Sequence, residues 1–194
     1  MTTTLINAFE VPPEDDEPFV AGWERARDFL AAREAFDTTV LHRALRPDAE
    51  LRFVNVARVR SPPAWREAVA DPAFPGGELP YPSHPALYDV VHEDGGPDGE
   101  DGIVLINPFE VPAGDDERFV AAWHRARDTL ADAPGYLGTR LYRSAGPADF
   151  RVVNVARWSS PLAFSRAVRR PEFQAAAEAV ATPAHPALYQ IVRR

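Results

Sequence analysis

An amide and an indole four positions apart, Asn154 and Trp158 in Phe150-Arg-Val-Val-Asn-Val-Ala-Arg-Trp158, are the side chains here best suited to gripping a small molecule. The amide can donate or accept a hydrogen bond, and the indole offers a flat apolar face with one N–H at its edge. The run alternates and is rich in Val, so it reads as a β-strand in which every second residue shares a face. Val152, Asn154, Ala156 and Trp158 then point one way, and Val153, Val155 and Arg157 the other. That face suits a pocket wall. A second amide, Asn107, lies with Phe109 in another strand, Val104 to Val111. If the two strands are neighbours, Asn107 converges with Asn154 and Trp158. A buried amide left bare costs about 1–3 kcal/mol, so each is bonded to backbone or water, or aimed at a ligand.

The remaining chemistry is sparse. His185 precedes Pro186 before the last strand, where it serves either a turn or, as an imidazole at a pocket mouth, a general base. Tyr142 could supply a phenol. There are no cysteines, which removes disulfides, thiolate metal sites and a cysteine nucleophile. No glycine-rich phosphate loop, HExxH spacing or Ser/His/Asp arrangement is evident, and no metal is expected. The net charge of −8 is spread through the chain, with Arg interleaved among Asp and Glu, so neither nucleic acid nor membrane is an expected partner. No apolar run approaches the roughly 20 residues of a spanning helix. The start carries no signal-peptide pattern, and the expected location is the cytoplasm.

These residues sit in a unit written twice. Leu5-Ile-Asn-Ala-Phe-Glu-Val-Pro12 returns as Leu105-Ile-Asn-Pro-Phe-Glu-Val-Pro112, Asn55-Val-Ala-Arg58 as Asn154-Val-Ala-Arg157, and His84-Pro-Ala-Leu-Tyr88 as His185-Pro-Ala-Leu-Tyr189. Acidic, Gly-rich residues 93–102 read as a tether between repeats 1–92 and 103–194. The copies differ where it matters for function. The first keeps Asn7 and Asn55, which favours a structural role for part of the amide pair. It has Val59 in place of Trp158 and lacks the last helix, because Pro-Gly-Gly-Glu-Leu-Pro-Tyr-Pro follows Phe74. The second copy is therefore expected to hold the site and the first to support it, with Trp158 dispensable to the fold. Trp23 and Trp123, at core spacing in both copies, are expected to be packing.

Each repeat reads as βαββαβ, the order of a ferredoxin-like half: an antiparallel sheet with helices on one face. The bare sheet faces can cover each other, giving an α+β fold of two repeats packed sheet-to-sheet as an internal pseudo-dimer. In the second copy Asp115 or Asp116 is expected to cap the first helix and Ser160, ahead of Pro161, another that ends at Val168. Pro171 starts a last helix carrying Phe173. Pro108, in a central strand, lacks a donor and calls for a bulge or strand end.

Asn107-Pro-Phe-Glu-Val-Pro-Ala-Gly114, Pro134-Gly-Tyr-Leu-Gly-Thr139, Asn154-x-x-x-Trp158-Ser-Ser-Pro-x-Ala-Phe164 and Pro171-Glu-Phe173 together resemble the antibiotic biosynthesis monooxygenase family. The resemblance covers the second copy nearly end to end and the first in degraded form. It implies a dimeric α+β barrel, here within one chain, and leaves open whether chains pair further. It implies oxidation of a bulky phenol or anthrone of polyketide type with O2 and no metal, flavin or haem. Asn154 and Trp158 match the family's pocket pair, with His185 the candidate base. Asn107, Phe109, Tyr142, Phe164 and Phe173 would bind substrate, although Phe164 lacks the hydroxyl that some relatives carry there. A haem-degrading branch uses a helical His; Ala177 stands there, so haem is not expected. The alternatives are a polyketide cyclase or isomerase on the same fold, and a non-catalytic protein that binds an aromatic ligand.

Overall fold

The computed structural model describes residues 3–95 and 102–194. In the first repeat the strands are β1 (Thr3–Phe9), β2 (Phe36–Ala44), β3 (Phe53–Val59) and β4 (Ser83–Gly95), with helices α1 (Asp16–Ala31) and α2 (Pro62–Ala70). The second has β5 (Ile103–Phe109), α3 (Asp116–Asp128), β6 (Tyr136–Ser144), β7 (Val152–Trp158), α4 (Pro161–Val168), α5 (Pro171–Glu178) and β8 (Ala187–Arg193). Within each repeat the antiparallel order is the ferredoxin-like one, β4-β1-β3-β2 and β8-β5-β7-β6. The sheets do more than face each other. β2 pairs with β8 and β4 with β6, closing all the strands into one barrel without an open edge.

Period-2 alternation sorts the side chains between two layers. Ile6, Val54 and Tyr88 meet Ile106, Val153 and Tyr189 inside the barrel, a core drawn from both repeats. The Tyr88 hydroxyl donates to the Phe150 carbonyl and that of Tyr189 to the Leu51 carbonyl, each at 2.7 Å and each crossing between repeats. Burial pushes both phenols above their ordinary pKa. The outward faces receive the helices. Phe119, Ala122, Trp123 and Ala126 form the buried stripe of α3, at the i, i+3, i+4, i+7 spacing of one helix face. The cap of α4 is as expected: the Ser160 side chain accepts from the Ala163 N–H at 3.1 Å with Pro161 in the first turn.

Three local expectations need amendment. Asp115 stands at the N-cap of α3 but its side chain caps nothing. Asp116 instead takes a bidentate ion pair from Arg151, as Asp16 does from Arg52. Pro108 lies within β5 with no bulge; beyond Ile106 the register to the chain before β8 continues, the His185 N–H donating to the Pro108 carbonyl and Phe109 bridging Ala184, so only the proline's own donor is missing. The tether is shorter than residues 93–102. β4 runs through Gly95, pairing Glu93 with Arg140 and Asp94 with Thr139, and residues 96–101 lie outside the described part.

Candidate active site

The outward face of the C-terminal sheet and its helices enclose a cavity of about 510 Å³. β7 supplies Asn154, Ala156 and Trp158 to its wall, and β5 supplies Leu105, Asn107 and Phe109. Asn107 pairs directly opposite Asn154 in the ladder, so the two amides lie side by side. Trp158, four residues along β7, is about 13 Å away by strand rise. Phe164 of α4 and Phe173 of α5 close the far side. Five expected pocket residues (Asn107, Phe109, Asn154, Phe164 and Phe173) and the indole of Trp158 are thus brought together.

The polar atoms are unevenly satisfied. The Thr139 hydroxyl donates to Asn154 Oδ1 at 2.6 Å, with the Val155 carbonyl also near at 3.1 Å. That contact occupies the amide oxygen and presents the amide nitrogen as a donor. Asn107 Oδ1 and Trp158 Nε1 are buried with no partner. An acceptor and a donor left bare each cost about 1–3 kcal/mol, which a ligand bearing an O–H and a carbonyl would recover. Trp158 is only 1% exposed and meets Tyr136 and Phe164 edge-on at 5.3 and 5.5 Å. It is therefore core as well as cavity wall, and the fold is not indifferent to it. Trp123 likewise is core on one side and lines the cavity on the other.

Two expected residues are elsewhere. Tyr142 faces the barrel interior, because Leu141 takes the position opposite Asn154 and its neighbour must point the other way. His185 does not line the cavity. Its Nδ1 contacts Glu50 and its Nε2 contacts Glu110, each at 2.8 Å, with its ring 5.0 Å from that of Phe150. Burial alone would lower its pKa, but the two carboxylates raise it. An imidazole so committed joins the repeats rather than serving as a free base.

A proton-handling group that the sequence reading passed over does reach the cavity. Tyr136 lines it and donates its hydroxyl to Asp94 at 2.8 Å. Asp94 also pairs with Arg127 and takes contacts from His92 and the Thr139 N–H. Burial would raise the Asp94 carboxyl, but its bonds to His92, Tyr136 and Arg127 outweigh that and hold it below the usual range. Burial, then Asp94, push the Tyr136 phenol up, so it remains a neutral O–H donor at neutral pH. Asp94 comes from β4, so the first repeat completes the second repeat's site. A β-bulge between Tyr136 and Gly138 aims the ring. Just before it, Gly135 has φ +89°, and a Cβ there would lie 2.4 Å from Ser159 Oγ, so glycine is required.

Ala177 lines the cavity, and no histidine does so among the described residues, so the wall offers no imidazole to ligate a haem iron. Among the described residues no group of three or more His, Cys, Asp or Glu is placed to hold a metal, and no helix is long and apolar enough to cross a membrane.

Residues 102–179 match the family model described as antibiotic biosynthesis monooxygenase. No curated protein matches the sequence. Among solved structures the chain is similar to an anthrone oxidase-like protein, with TM-score 0.79 and 18% identity over 99% of this chain and 92% of that one. It is similar to a monooxygenase-like protein from Listeria innocua (TM-score 0.56, 11% identity, 100% and 95% covered). A heme-degrading enzyme from Listeria monocytogenes shares the fold at TM-score 0.55 and 12% identity over 96% and 98%. At such identities the likeness is one of fold. The C-terminal repeat therefore carries the match to the antibiotic biosynthesis monooxygenase model, within a chain whose barrel fold is similar to those of an anthrone oxidase-like and a monooxygenase-like protein.

Proposed function

We propose that the C-terminal cavity binds a bulky hydroxylated aromatic ketone, of anthrone type, and directs its oxidation by O2 without a metal or organic cofactor. The observation that carries this reading is the unpartnered pair, Asn107 Oδ1 and Trp158 Nε1, in a largely apolar cavity of about 510 Å³. The acceptor calls for a substrate hydroxyl and the donor for a substrate carbonyl. Their spacing along the sheet suits fused rings rather than one ring.

The reaction converts a ring CH2 and O2 into a ring C=O and H2O, with one oxygen atom in each product. The deprotonated substrate is itself the reductant. It passes one electron to O2, and the resulting pair joins as a peroxide at that carbon. Loss of the remaining C–H proton then breaks the O–O bond and releases water. The protein holds the anion, orients it and excludes solvent. Asn154 Nδ2 donates to the anionic oxygen, and the Arg127 guanidinium favours the negative charge. Tyr136 takes the substrate proton at its oxygen as its own passes by way of Asp94 to solvent, the carboxylate carrying the proton only in transit. The chain's residues need do no redox chemistry.

Oxygen uptake on adding an anthrone tests this reading against a cyclase or isomerase, which would consume substrate without O2. Saturable binding with neither uptake nor product would assign the cavity to a binding protein.

A further inference from the structure

The N-terminal repeat was expected to be the supporting half, with a site of its own left open, and it encloses a cavity of about 320 Å³. Both cavities fall in the range of roughly 300–1,000 Å³ typical of small-molecule sites, this one at its lower end. The amide frame is retained: Asn7 pairs opposite Asn55, and the Thr39 hydroxyl donates to Asn55 Oδ1 at 2.7 Å. The indole has moved. Val59 stands where β7 has Trp158, and Trp65 of α2 stands where α4 has Phe164. Each repeat therefore puts one indole at the same junction of strand and helix, from opposite sides. The Nε1 of Trp65, like that of Trp158, is buried without a partner, and so is Asn7 Oδ1. The roof that α5 provides in the second repeat is replaced by a 3₁₀ turn, Pro75–Glu78, whose Gly76 and Gly77 line the cavity together with Leu79.

The proton-handling groups are missing. Phe36 occupies the place of Tyr136 and has no hydroxyl. Arg27 reaches Asp28 and the Arg194 carbonyl, where Arg127 has Asp94. We propose that the N-terminal repeat is a second binding site, taking a two-ring aromatic with an oxygen at each end, a hydroxyl that donates to Asn7 Oδ1 and a second oxygen that accepts from Trp65 Nε1. It holds this ligand without turnover. The inference stands on this cavity's own geometry, not on the oxidation assigned to the other.

The test is a titration of the full chain, carrying ¹⁵N-labelled tryptophan, with 2,6-dihydroxynaphthalene. The sequence has four tryptophans, so four indole N–H signals are followed, and the one absent in Trp65→Phe is that of Trp65. The Trp65 signal should shift and saturate, and should do so unchanged in Trp158→Phe; Asn7→Ala should weaken the response at least twofold. A Trp65 signal that stays still up to the solubility limit of the probe overturns the proposal. So does one that moves only when Trp158 is present. Absence of O2 uptake with an anthrone would count against the oxidation reading and leave this titration standing.

Discussion

Replacing Trp158 separates its two duties. The indole is 1% exposed within a cluster that includes Ile103, Ala133 and Ala156, so Trp158→Ala should cost about 3–5 kcal/mol, as buried Trp-to-Ala changes do. For a chain of this size that is a fall in Tm of roughly 6–20 °C. Trp158→Phe keeps a ring against Tyr136 and Phe164 and removes an N–H that has no protein partner. No intramolecular hydrogen bond is lost, so only volume counts, and the cost should stay below about 2 kcal/mol. A ligand carbonyl, however, would lose one hydrogen bond, about 0.5–1.5 kcal/mol or roughly twofold to tenfold in affinity. Thermal unfolding and calorimetric titration with an anthrone measure the two effects. If Trp158→Phe binds as tightly as the wild type, the N–H is not a ligand donor. If it unfolds as readily as Trp158→Ala, the indole is core and nothing more.

Tyr136→Phe should lower turnover at least about a hundredfold, the modest end of what a proton-transfer group contributes, with KM within a few-fold; equal turnover would remove Tyr136 from the proton path. His185 is held between Glu50 and Glu110 with its pKa raised, so its stabilisation is full below the unfolded value near 6.5. It is lost as pH rises through the folded value. Wild-type Tm measured against pH should show this loss and His185→Gln should not; identical profiles would show that the contacts carry no stability. Exhaustive dialysis against EDTA should leave O2 uptake unchanged, and a loss restored by one metal would contradict cofactor independence.

Much of this fold can be read from periodicity. The alternation of Val152 to Trp158 places Asn154 and Trp158 on one face, and Ser160-Pro161 marks the start of α4, because both are local effects of backbone geometry. What escapes local reading is long-range. Asp94 sits in an acidic, glycine-rich stretch that looks like a tether, and only the pairing of β4 with β6 carries it to Tyr136. Tyr142 looks able to supply a phenol until strand parity places it inside the barrel, while a bulge brings Tyr136 to the cavity. His185 looks free until Glu50, a residue of the other repeat, is brought against it. The loss of Trp158's counterpart at Val59 suggests a first repeat that chiefly supports the second, but Trp65, on the helix, lines a cavity there together with Val59.

The most direct measurement is mass spectrometry of the quinone formed from an anthrone under ¹⁸O2 in ordinary water. Turnover in the C-terminal cavity should put one ¹⁸O atom in the product, with formation slowed in Asn107→Ala and Trp158→Phe. Quinone with no label, or formed at an equal rate by both variants, would contradict oxidation by O2 at that site.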